Sequence, residues 1–120
     1  MQVAQHATDL DRAETFYTRL LGVPAAARFD PPGLLFFRLG AVRLLLDRNA
    51  PSSLIYLRVD DFHSTVTRLR ADGGVLEGEP HVIFRHTDNT LGPAGHDEWH
   101  AFLRDPERNL IALVGMVPPA

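Results

Sequence analysis

The run Val3-Ala4-Gln5-His6-Ala7 is short and largely apolar, as a strand would be, and behind it Ala13, Phe16, Tyr17, Leu20 and Leu21 recur at helical spacing on one face. Thr8 stands where an N-cap is expected, with Asp11 as the acidic partner of a capping-box-like pair, and Asp11 and Glu14 suit the positive end of the helix. Gly22 supplies a stop and Pro24 prevents continuation. Periodicity is lost over 25–33, where Asp30-Pro31-Pro32-Gly33 reads as a turn. Two apolar runs, 34–39 and 42–46, then predict a hairpin about Gly40-Ala41.

After the linker-like stretch Asn49-Ala50-Pro51-Ser52-Ser53 the same pattern begins again. Ile55 to Val59 reads as a strand, and Phe62, Val66 and Leu69 mark the buried stripe of a helix that Gly73-Gly74 terminates. Short strands are expected at 75–76 and 82–84, and longer ones at 99–104 and 110–114 around the turn 105–109. Asp9, Leu10, Gly22 and Val23 lie over Asp61, Phe62, Gly74 and Val75 without a gap, so the chain is a tandem repeat. The expected fold is α+β: one domain over 1–120, made of two βαβββ modules at about 2–48 and 53–116, whose sheets form a curved mixed sheet around a cleft. The polar stretch from His86 to Glu98 is long for a connection, which predicts either a lid or a mobile segment.

Composition narrows the chemistry. The chain has no cysteine, which excludes disulfides, thiolate metal sites and thiol nucleophiles and suits a reducing compartment. All 12 basic residues are arginine and they are scattered, against a net charge of −3, which argues against nucleic-acid binding. The absence of lysine removes Schiff-base chemistry. With no signal-like N-terminus and no apolar run of membrane-spanning length, a cytoplasmic protein without membrane contact is expected.

The strings Asp9-Leu10-Asp11-Arg12-Ala13, Phe16-Tyr17 and Leu21-Gly22, with Val59-Asp60-Asp61 and Phe102-Leu103-Arg104-Asp105-Pro106…Asn109, resemble the vicinal oxygen chelate superfamily of glyoxalases, bleomycin-resistance proteins and extradiol dioxygenases. Within it, Glu79-Pro80-His81 and His96…Trp99 look like a small uncharacterised glyoxalase-like group. The resemblance implies a homodimer and a divalent-metal site with four ligand slots, which fall at Gln2, Leu54, Leu44 and Ala112. Three of these side chains donate nothing to an ion, so no metal and no cofactor is expected. Asp47 is discounted as a replacement ligand, because strand parity turns it away from Leu44.

The expected function is binding of a small anionic or aromatic ligand in the cleft, and the alternative is a metal-dependent lyase or isomerase with non-standard ligands. Whether the ligand is turned over is left open. If Gln2 faces the cleft, alternation brings His6 with it, and in the second copy Tyr56 and Arg58. His6 and Arg58 are equivalent and are read as anion-recognising groups, as the resemblance implies for basic residues at these slots. Trp99 is read as a wall of the pocket and His81 as its acid or base. His86, His96 and His100 lie close by in sequence, but His96 and His100 are not on a helix that would aim both at one ion.

Overall fold

The computed structural model describes residues 1–119. It contains two compact units, one of residues 1–53 with the turn 105–109, the other of 54–104 with the remaining C-terminal segment.

The first unit runs β1 (Gln2–His6), α1 (Leu10–Leu21), β2 (Ala27–Phe29), β3 (Leu34–Leu39) and β4 (Val42–Asp47). Its sheet has the order β1-β4-β3-β2, with β1 parallel to β4 and the other pairs antiparallel. The short strand β2 lies within 25–33, a stretch that no hydrophobic periodicity marks as a strand. The N-cap of α1 is Asp9, whose side chain accepts from the Arg12 amide at 3.1 Å. Thr8 is therefore not the cap; its hydroxyl donates to Glu107 at 2.8 Å instead. Gly22 closes the helix in the left-handed region, at φ 71°, as a C-terminal glycine can.

Leu10, Ala13, Tyr17 and Leu20 of α1 are buried, as are Leu35, Phe37, Leu44 and Leu46 of the sheet. Deep in this core the Tyr17 hydroxyl donates to Asp105 at 2.7 Å, and Asp105 also accepts from the amides of Glu107 and Asn109. Burial and then the neighbouring carboxylate push the Tyr17 hydroxyl far above the ordinary phenol range, so it stays a donor. This explains why the Asp-Pro…Asn turn belongs to the first unit although its flanking strands belong to the second.

The second unit repeats the plan with β5 (Ile55–Arg58), α2 (Phe62–Ala71), β6 (His81–Arg85), β7 (Asp97–Arg104) and β8 (Leu110–Val117). The order β5-β8-β7-β6, with β5 parallel to β8, matches the first sheet strand for strand. Its helix is capped by Asp61, accepting from the Ser64 amide at 3.2 Å, as Asp9 caps the first. Of the strand expected at 75–76, only a bridge between Leu76 and Leu103 is formed. Phe62, Val66 and Leu69 bury the face of α2 toward Ile111 and Leu113 of the core, and Phe62 lies so close over β8 that a Cβ at Gly115 would collide with it.

That contact sets a prediction. Gly115→Ala forces Phe62 off its seat and should lower the unfolding free energy by about 1–3 kcal/mol, as overpacked core positions do. Asp61→Ala should cost about 1 kcal/mol through the lost cap. Urea denaturation of the two variants checks both, with Gly115→Ala expected to have the lower midpoint if α2 packs as described.

Candidate functional site

Residues directly opposite one another across a ladder share a face, so the register sorts every side chain. In the first sheet Val3 pairs with Leu44, Gln5 with Leu46 and Phe37 with Leu44, all on the side covered by α1. The helix-free side carries Gln2, Ala4 and His6 from β1 and Arg43, Leu45 and Asp47 from β4. Two expectations change as a result. Leu44 does not share a face with Gln2; the residues that do are Arg43 and Leu45. Asp47 stands directly opposite His6, so discounting it rested on the wrong reference residue. Its carboxylate accepts from the Asn49 amide at 2.8 Å, which ties it to the turn after β4. His6 is held by its backbone, donating to Ser52 Oγ at 2.9 Å and accepting from Asn109 Nδ2 at 2.8 Å.

In the second sheet the helix-free face is richer. One row across the strands is Tyr56, Ala112, Phe102; the next is Arg58, Val114, His100, His81. Glu98 opposes Met116 and Phe84 in the row beyond. Tyr56, 54% exposed, lies with its ring 5.6 Å from that of His100 and 6.4 Å from that of Phe102. Arg58 is exposed and forms no ion pair among the described residues. Ala112 and Val114, small, apolar and buried, lie between the outer members of the two rows. At a strand spacing of about 4.8 Å, the Cα atoms of Arg58 and His100 stand roughly 10 Å apart across Val114, a span suited to a small organic molecule.

His81 is in register with His100 at the start of β6, exposed, with its Nδ1–H donating to the Glu79 carbonyl at 3.2 Å. Trp99 is not with these residues. It alternates with His100 and lies on the helix side, its ring 5.9 Å from Phe62 and 4.8 Å from His63.

Behind His100 is an arrangement that the sequence reading did not find. Glu98 Oε2 accepts from His100 Nε2 at 2.6 Å and Glu98 Oε1 from His86 Nε2 at 2.9 Å, with His86 buried. Burial disfavours the charged carboxylate, but the hydrogen bonds from His100 and then His86 outweigh it and hold the Glu98 carboxyl below its ordinary range. The segment 86–96 closes over the His86 ring: Gly92 packs against it too closely for a Cβ, the His86 amide donates to the His96 carbonyl at 2.9 Å, and Gly95 donates to the His86 carbonyl at 2.8 Å. Arg85 and Asp97 pinch its base with paired hydrogen bonds of 2.9 and 3.3 Å. The stretch is thus a compact loop built around its own histidine. The missed signal was period two: Glu98, His100 and Phe102 alternate with Trp99, Ala101 and Leu103.

The fold suggests a divalent-ion site, and the side chains at the expected positions are poor donors for one. Beside Gln2 the helix-free face of the first sheet offers Arg43 and Leu45, the expected slots at 54 and 112 hold Leu and Ala, and among the described residues no group of three His, Asp or Glu side chains is arranged to hold an ion. The nearest approach, His86, Glu98 and His100, spends Nε2 of each histidine and both carboxylate oxygens on hydrogen bonds within the cluster.

Two four-stranded mixed sheets, each with its first strand parallel to its last and one helix, define a tandem βαβββ protein. The chain belongs to the Glyoxalase/Bleomycin resistance protein/Dioxygenase superfamily, whose family model matches residues 2–113. Among solved structures it is similar to a lactoylglutathione lyase from Agrobacterium tumefaciens, with 25% identity, coverage of 96% of this chain and 91% of that one, and a TM-score of 0.71. It is also similar to a glyoxalase/bleomycin resistance protein from Albidiferax ferrireducens T118 (24% identity, 95% and 96% coverage, TM-score 0.67). A glyoxalase/bleomycin resistance protein/dioxygenase from Alicyclobacillus acidocaldarius shares 20% identity over 97% of this chain and 89% of its own, with a TM-score of 0.70. No curated protein matches the chain.

The Glu98 cluster makes stability depend on pH in a definite direction. A depressed folded-state pKa contributes stability that is present above the ordinary carboxylate value of about 4.3 and is lost as pH falls through the folded value. Glu98→Gln should therefore be less stable than wild type at neutral pH, and the difference should shrink below about pH 4. Urea denaturation across that range checks it; a constant difference would mean that the carboxylate charge is not what matters.

Proposed function

We propose that this protein binds a small carboxylate-bearing aromatic ligand on the helix-free face of its second sheet, without a divalent metal. The observation that carries the reading is the pairing of Arg58, in no ion pair among the described residues, with a half-exposed Tyr56 in adjacent rows beside the small apolar residues Ala112 and Val114. An unpaired guanidinium is a fork for a carboxylate, and the rings of Tyr56 and Phe102 offer a stacking wall. His81 borders the same row and extends the polar edge of the site. Gln2 and His6 are proposed as polar groups on the corresponding face of the first sheet.

A second reading, a metal-dependent lyase or isomerase with non-standard ligands, draws on the similarity to the lactoylglutathione lyase. Elemental analysis of the purified protein separates the two: stoichiometric metal would favour the second.

The ligand reading is tested by isothermal titration with phenylacetate and phenylpyruvate. Arg58→Ala should weaken binding at least about tenfold, since a hydrogen bond to a charged group contributes about 1.5–3 kcal/mol. Tyr56→Ala should also weaken it. Affinity unchanged in both variants would overturn the assignment of this face.

A further inference from the structure

We infer that His100, held by Glu98, is a proton-transfer residue, and that the ligand face of the second sheet enolises aryl-substituted 2-oxo carboxylates. This rests on the ligand reading above and adds turnover to it.

The tautomer follows from the hydrogen bonds. Glu98, kept ionised, can only accept, so the nitrogen facing it must carry the proton: Nε2–H in His100 and Nε2–H in His86. With its proton on Nε2, the His100 ring has Nδ1 as the nitrogen left to accept a proton, and no hydrogen bond from a described residue occupies it. A carboxylate behind one imidazole nitrogen orients the ring and stabilises the imidazolium formed when the other takes a proton. His86 is a positioning residue in this scheme. Buried beneath the 86–96 loop, it holds the second oxygen of Glu98, so the carboxylate cannot swing away from His100.

The same rows define what His100 can act upon. Arg58 stands in its row across Val114 and takes a carboxylate, and the rings of Tyr56 and Phe102 in the next row take an aryl group. A molecule with a carboxylate at one end, an aryl group at the other and an acidic C–H between them is an aryl 2-oxo acid. In the step, His100 Nδ1 removes a proton from the carbon beside the keto group. The C–H electrons form the C=C bond and the C=O π electrons move to oxygen. The imidazolium then returns the proton to carbon, giving exchange with solvent, or to oxygen, giving the enol. No oxidant, reductant or second substrate is consumed.

The test is loss of the benzylic proton signal of phenylpyruvate in D2O, followed by proton NMR. Wild-type protein should accelerate it at least about 100-fold over buffer, the lower range for a positioned acid–base group. His100→Gln should return it to the buffer rate. Glu98→Gln should slow it at least about tenfold and move the pH profile, which a merely structural carboxylate would not do. Circular dichroism checks that the variants fold, and the imidazole 15N spectrum of wild-type protein gives a second readout, in which His100 must carry its proton on Nε2.

Acceleration that survives His100→Gln, acceleration lost instead in His81→Gln alone, or an Nδ1–H tautomer overturns the inference. Phenylpyruvate bound in an Arg58-dependent way but exchanged no faster than in buffer also overturns it, while leaving the ligand reading intact. Phenylpyruvate that does not bind at all removes both.

Discussion

A four-stranded sheet has two faces, and here each sheet has one helix to cover them. The covered face must be apolar and close-packed, so Leu35, Phe37, Leu44 and Leu46 lie under α1, and Ile111 and Leu113 form the buried side beneath α2. The period of two along each strand then commits every intervening residue to the other side. Tyr56, Arg58, His100 and Glu98 share a face because Ile55, Leu57, Trp99 and Ala101 occupy the opposite one. A shift of one residue in β7 would exchange His100 for Trp99 and destroy both the core and the polar row.

A buried carboxylate, Asp105, and a part-buried one, Glu98, fix local geometry in different ways. Asp105 is satisfied by a tyrosine hydroxyl, two backbone amides and the Asn109 side chain, and it anchors the turn 105–109 to the first unit. Glu98 is satisfied by two imidazoles, one under a loop and one on a sheet face. The first is saturated by donors that do not titrate near neutral pH, and is purely structural. The second joins groups able to exchange protons, which is where chemistry can enter.

Much of the fold was legible in the sequence because it is written twice. Matching Asp…Gly spacings, helical stripes at Ala13, Tyr17, Leu20 and at Phe62, Val66, Leu69, and apolar runs of strand length all indicate the modules that are observed. The site was less legible. Parity along one strand can be read from sequence, but which residue of a parallel neighbour lies opposite cannot. Leu44 was therefore matched to Gln2, when the pairing is Gln2 with Arg43. Trp99 invites a functional reading as the single tryptophan, yet its neighbours Ala101 and Leu103 are core and its parity is theirs. The Glu98 cluster escaped notice because His86 reaches it from the start of a loop, a contact that no periodicity encodes.

The central claim is that ligand chemistry belongs to the helix-free face of the second sheet. Methyl NMR on titration with phenylpyruvate tests it most directly, because neighbouring residues of β8 report on opposite faces. The account predicts shifts at the methyls of Ala112 and Val114 and little change at Ile111 and Leu113. Shifts confined to Ile111 and Leu113, or none anywhere on β8 with ligand bound, would contradict it.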